Sequence, residues 1–175
     1  MFPVGVMSFL LLGAGVFPDE AATDEKIPPG REQIEITIAA SLEEVWNAFT
    51  TDEGVRLWMA PLADIDFRIG GKIRANYNPE GVLGDSGTIE NTIICYDPMR
   101  LFCFRCTKSP EGFPFAEAIQ ATWTVAYFRP EAAGGTHLTL VGNGYTDAED
   151  SRQMREFFRA GNMQVFEGLK RALES

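Results

Sequence analysis

The fold is decided at the end of the chain, in THLTLVGNGYTDAEDSRQMREFFRAGNMQVFEGLKRALES (residues 136–175), where one hydrophobic period gives way to another. At its start Leu138 and Leu140 alternate with His137 and Thr139, the two-residue period of a strand. From Asp147 onward Met154, Phe158, Gly161, Val165, Leu169 and then Ala172 or Leu173 recur three and four residues apart, the apolar stripe of a long helix. The chain before it is read as strands. Ala118 to Phe128 alternates, with Ile119, Ala121, Trp123, Val125 and Tyr127 on one face and Gln120, Thr122 and Thr124 on the other, and Gly134-Gly135 turns it into the strand at Thr136. Thr88 to Tyr96 and Arg100 to Thr107 are strands parted by Asp97-Pro98. Asp64 to Ile69 and Lys72 to Tyr77 make a hairpin about Gly70-Gly71. Ser109 to Phe115 is a loop by its proline and glycine content.

At the other end Ile34, Ile36 and Ile38 alternate with Glu35 and Thr37 in a half-buried strand. Ser41 and Glu44 then stand at capping-box spacing, and Val45, Trp46 and Phe49 supply the buried stripe of the helix they open. A second short helix, Asp52 to Trp58, stops before Pro61. The order is one strand, two helices, about six strands and one long helix: an α+β domain.

The 175 residues suit one domain. Twenty-five acidic against 15 basic side chains give a net charge of -10, which repels polyphosphate and anionic headgroups, so nucleic acid is not expected as a partner. Residues 1–30 differ in kind. An apolar run from Val4 to Leu12, continuing to Val16, precedes an acidic stretch and Pro28-Pro29-Gly30. The run falls short of the ~20 apolar residues that span a bilayer, so stable membrane insertion is not expected. It has the length of a signal-peptide core but lacks a preceding Lys or Arg. Residues 1–30 are therefore read as a signal peptide or disordered segment and 31–175 as the domain, with a periplasmic or secreted location favoured and the cytoplasm as alternative.

Catalytic and metal chemistry find little footing in the pattern. Any Ser-His or Cys-His pair depends on His137, which is out of phase with Leu138 and Leu140 and reads as a surface residue. One histidine excludes a histidine-rich metal site, and no cofactor is expected. Cys103 and Cys106 are three apart on a strand, so they face opposite ways. The three cysteines read as small apolar fillers, with a Cys95–Cys103 cross-strand bridge left open for an exported chain. Asp64, Asp66 and Arg68 alternate onto one face, where acid–base work or a solvated row of weak ion pairs are both open. Gly70-Gly71 and Gly134-Gly135 lack the strand-to-helix setting of a phosphate loop.

A wide antiparallel sheet twists and coils, so a helix laid on its concave face cannot touch every strand equally and space remains between them. Trp123, Tyr127, Phe104 and Phe158 could wall that space, although regular spacing by itself reads as core packing.

Five segments taken in order carry a family resemblance: Ser41–Thr50, Trp58-Met59-Ala60-Pro61, Asp66-Phe67-Arg68-Ile69-Gly70-Gly71, Asp97-Pro98-Met99-Arg100-Leu101 and Gly135–Leu140. Over roughly residues 32–173 the chain resembles the activator of heat-shock-protein ATPase homologue-like branch of the SRPBCC superfamily. The resemblance implies the START-like helix-grip fold, a curved six- to seven-stranded antiparallel sheet wrapped around a long C-terminal helix, with a central cavity and diverse ligands or activities. Gly161-Asn162 stands where the last helix of the family often has Gly-Trp, which implies a more polar or more open roof. On this reading Trp58, Phe104, Trp123, Tyr127, Phe158 and Asn162 line a site for a small apolar molecule, and a homodimer is left open. The alternatives are a cyclase- or hydrolase-like enzyme using the same cavity, and a chaperone-interacting module.

Overall fold

The computed structural model describes residues 30–132 and 134–175. The expected signal or disordered segment therefore lies outside the described residues, apart from Gly30. In order the elements are β1 (Arg31–Ile38), α1 (Leu42–Thr50), α2 (Asp52–Trp58), β2 (Leu62–Ile65), β3 (Lys72–Asn76), β4 (Ile89–Asp97), β5 (Leu101–Lys108), a 3-10 turn (Ala118–Ala121), β6 (Trp123–Pro130), β7 (Thr136–Asn143) and α3 (Glu149–Leu173).

The strands form one seven-stranded sheet in the order β1-β7-β6-β5-β4-β3-β2, antiparallel at every pairing. After β1 the chain crosses to the far edge through α1 and α2 and returns strand by strand, so that β7 pairs with β1 in a register that sets Ile34 against Leu140 and Glu32 against Gly142. Period-two alternation then builds one continuous apolar face from Ile38, Leu138, Ala126, Phe102, Ile93 and Ile73, all buried.

The helices after β1 form for local reasons. Ser41 accepts the Glu44 amide at 3.2 Å while the Glu44 carboxylate takes the Ser41 amide at 2.8 Å, satisfying two donors at the start of α1. Thr51 caps α2 through the Gly54 amide at 3.0 Å. Trp46 and Phe49 of α1 meet Phe128 edge-on at centroid distances of 5.2 and 5.1 Å, and Phe49 also meets Trp58 at 4.6 Å and Phe166 of α3 at 6.4 Å. Each such pair contributes roughly 0.5–1.5 kcal/mol beyond the area it buries. Together they seal one end of the space between sheet and helix.

Two expectations need correction. The strand expected from Ala118 begins only at Trp123. Ala118–Ala121 is a 3-10 turn, closed by the Thr122 amide and hydroxyl, which both donate to the Ile119 carbonyl at 3.1 and 2.8 Å. The expected phase was set partly by Ile119 and Ala121, which belong to the turn. In β6 it is Ala126 and Phe128 that are buried, and Trp123 and Tyr127 are 42% and 43% exposed. The hairpin strand expected over Asp64–Ile69 is β2, ending at Ile65. Beyond it the chain folds back on itself, the Gly71 amide donating to Arg68 at 2.8 Å, and Phe67 turns inward to Trp46 and Tyr96.

In α3 the buried stripe runs through Met154, Phe166 and Leu169, and Gly161, on the same inward face, is exposed because it borders open space. The helix is tied to β1 along its length. Arg155 Nε donates to Glu32 at 2.7 Å, Lys170 Nζ donates to the Thr37 carbonyl at 2.9 Å, and Glu174 takes the Ala39 amide at 2.7 Å.

Two helical glycines should respond oppositely to alanine. A Cβ on Gly54 would lie 2.1 Å from the Asn47 carbonyl oxygen, so Gly54→Ala forces α2 away from α1 and should cost about 2 kcal/mol or more. A Cβ on Gly161 meets nothing within 4 Å, so Gly161→Ala should stabilise by about 1 kcal/mol. Denaturant titration of the two variants checks both signs.

Candidate ligand-binding cavity

Because α3 is tied to β1 at the sheet edge and packs mainly on β1, α2 and the 3-10 turn, it stands off from the middle strands. Between them lies a cavity of about 420 Å³. The concave sheet contributes Ile34, Leu140, Thr124, Phe104, Cys106 and Ala75 to its wall. From α3 come Phe157, Phe158, Asn162, Val165 and Phe166, and Trp58 and Met59 close the α2 end. The Ser109–Phe115 loop and the turn after it form the remaining side through Phe113 and Ile119. Phe113 packs with Phe157 and Phe158, and Phe115 with Phe157, at 5.9–6.1 Å, holding that loop to α3.

Of the six residues expected at the site, Trp58, Phe104, Phe158 and Asn162 line this cavity, and Trp123, which shares the phase of Tyr127 and is 42% exposed, borders it at the start of β6. Tyr127 does not: it stands on the convex face of β6, for the reason of phase given above.

The expected site omits the polar end of the cavity. Glu32, on the concave face of β1, lines it and is only 4% exposed. Its Oε2 accepts the Arg155 hydrogen bond. Arg159 Nε lies 2.9 Å from Oε1 but out of line for a hydrogen bond, so this buried oxygen has no hydrogen-bond partner among the described residues. Tyr145 lines the same end, its ring lying on Gly142, the strand partner of Glu32. A Cβ on Gly142 would sit 3.0 Å from the ring and 3.3 Å from the hydroxyl oxygen, so glycine is what admits the phenol here. Burial, reinforced by the Glu32 charge, pushes the Tyr145 phenol up to about 12.

The other chemical candidates lie elsewhere. His137 is on the convex face, Nδ1 3.3 Å from Thr37 Oγ1 and Nε2 3.5 Å from Glu35. Asp64 pairs with Arg74, Asp66 with Arg68 at 2.9 Å, and Lys72 with Glu90, around a separate polar cleft beside the β2–β3 connection. Asp66 and Arg68 are thus a solvated ion pair, and Asp64 is a part-buried carboxylate held by Arg74. All three thiols are free. Cys95 and Cys103 are cross-strand partners, and Cys106 faces the cavity. Burial, with Cys95 alongside, pushes the Cys103 thiol up to about 11, and burial also raises Cys106, which keeps both protonated and weakly nucleophilic near neutrality. Among the described residues no acidic, histidine or cysteine cluster could hold a metal ion, and no helix is long and apolar enough to cross a membrane.

A family model described as Activator of Hsp90 ATPase homolog 1-like protein matches residues 39–174. No curated protein matched the chain. Among solved structures, a protein from Mesorhizobium loti is similar with a TM-score of 0.66 at 18% identity, over 82% of this chain and 96% of that one. A protein of unknown function from Staphylococcus aureus has a TM-score of 0.64 at 16% identity, over 82% and 93%. The Aha1 protein from Colwellia psychrerythraea, whose solution structure is that of a dimer, has a TM-score of 0.59 at 17% identity, over 82% and 96%. At these identities the likeness shows the shared fold, an α+β helix grip.

The phenol provides a titration test. The folded value of Tyr145 lies above the ordinary 10, so its burial contributes to stability below pH 10, and that contribution is lost as the pH rises through about 12. Ultraviolet titration of the four tyrosines should show a last component near pH 12 that Tyr145→Phe removes, together with a shallower fall of melting temperature above pH 10.

Proposed function

The chain belongs to the activator of Hsp90 ATPase homolog 1-like family, and from that premise we propose that it is a binding or carrier protein that holds one small apolar molecule between α3 and the concave face of the sheet. The observation that carries this reading is a space of about 420 Å³, walled mainly by apolar and aromatic side chains, that the chain's own groups leave open. Its size falls within the ~300–1,000 Å³ usual for small-molecule sites. A molecule that fills an apolar space of this kind removes its wall from water and gains dispersion contacts along it.

The ionisable groups at the cavity favour binding over the cyclase- or hydrolase-like alternative. Glu32 is compensated by Arg155 and Arg159, and Tyr145 holds its proton far above neutral pH. General acid–base work needs a group that exchanges its proton near the working pH. A phenol so held is better suited to orienting a polar head than to moving protons.

The uncharged fluorophore N-phenyl-1-naphthylamine should brighten and shift to the blue on adding the folded protein, saturating at one site. Asn162→Trp, which projects a large ring into the cavity from α3, should weaken this binding about tenfold or more while shifting the melting temperature by only a few degrees. Absence of any fluorescence change with fully folded wild-type protein would overturn the reading.

A further inference from the structure

We infer that the molecule held in the cavity is an alcohol or phenol, with its hydroxyl group received between Glu32 and Tyr145 and its apolar body lying along α3. The inference rests on the binding role proposed above and specifies the chemistry of the ligand.

The unpartnered oxygen of Glu32 is its starting point. Buried carboxylate oxygens are ordinarily satisfied by in-line donors, because a nearby charge offsets only part of the desolvation cost of an acceptor that lacks one. Here Oε2 has its donor in Arg155, and Oε1, on a residue that lines the cavity, has the Arg159 charge at 2.9 Å but no hydrogen-bond donor in line. A ligand donor placed at Oε1 would complete the set.

The surrounding charges select among donors. Two guanidinium groups, Arg155 at 2.7 Å and Arg159 at 2.9 Å, flank the carboxylate, so an alkylammonium would enter against two like charges. A ligand carboxylate, though attracted by the same two guanidinium groups, brings no donor at neutral pH and would leave Oε1 unmet beside a second negative charge. A hydroxyl brings one donor and no charge. It also brings lone pairs, and Tyr145, adjacent over Gly142 and protonated through the neutral range, offers the O–H to meet one of them. Beyond this end the wall turns to Ile34, Phe104, Leu140, Val165 and Phe166, which suits a hydrocarbon body; the other charged residue on the lining is Arg105, an exposed position of β5.

The test uses the full chain and four probes of one length: 1-decanol, decyl methyl ether, decanoate and decylammonium, each displacing N-phenyl-1-naphthylamine. Decanol should displace the fluorophore about tenfold more effectively than the ether, which matches its body but cannot donate, and more effectively than either ion. In Glu32→Gln the preference for decanol over the ether should fall to about threefold or less, and Tyr145→Phe should reduce it partly. Should Glu32→Gln fail to fold, the ranking of the four probes on the wild-type protein decides by itself. Equal displacement by decanol and ether, or preference for either ion, would overturn the hydroxyl assignment and leave the binding role standing. Failure of the fluorophore itself to bind would remove the binding role and this inference with it.

Discussion

The architecture depends on how α3 is fastened. Arg155 and Arg159 reach Glu32 near one end of β1, and Lys170 and Glu174 reach the backbone of Thr37 and Ala39 near the other. A buried ion pair contributes little net stability, since desolvation offsets most of its attraction, but it strongly penalises arrangements in which the charge is left alone. Its effect is to fix position. The helix is held along the β1 edge of a sheet seven strands wide, and a straight rod so placed cannot also fill the trough over β3, β4 and β5.

Two groups of aromatic rings then decide how much of that trough stays open. Trp46, Phe49, Trp58, Phe128 and Phe166 occupy the end beneath α1 and α2. Phe113, Phe115, Phe157 and Phe158 bind the long loop to the outer side of α3. Each group packs against itself, and the cavity lies between them. Phe166 and Phe158 therefore serve two roles, closing their own cluster while giving one face to the open space. The polar end sits where Gly142 lets Tyr145 lie against the sheet opposite Glu32, so the same ion pair that positions the helix also supplies the cavity's only buried carboxylate among the described residues.

Much of this was legible because it is local. The isoleucine alternation of β1, the Ser41–Glu44 capping box and the change of period at Asp147 depend on neighbours a few residues apart, and the order of elements follows from them. The phase of β6 was not legible. Trp123, Val125 and Tyr127 look like a buried row, but Ala126 and Phe128 are apolar too, and a strand apolar on both faces carries no phase of its own. Tertiary packing chose the second row, which removed Tyr127 from the site. Gly161 keeps the phase that its spacing gives it, lining the cavity between Phe158 and Val165, and is exposed because the space it faces is open.

Glu32 was within reach of sequence reasoning and was missed. It stands two residues before Ile34, in phase with Ile36 and Ile38, so the alternation itself places it on the buried face. A carboxylate in that phase calls for a partner, and the arginines at 155 and 159, four apart on the helix, are the signal that could have supplied one. Tyr145 had no such signal, because its placement depends on the cross-strand neighbour of Gly142. The claim on which all of this converges is that the gap between α3 and the middle strands is open and apolar. Crystals under xenon pressure test it most directly, since xenon enters apolar cavities without needing a specific contact. The account predicts a xenon site bounded by Trp58, Phe104, Val165 and Phe166; an interior filled by the protein's own side chains, with no xenon between helix and sheet, would contradict it.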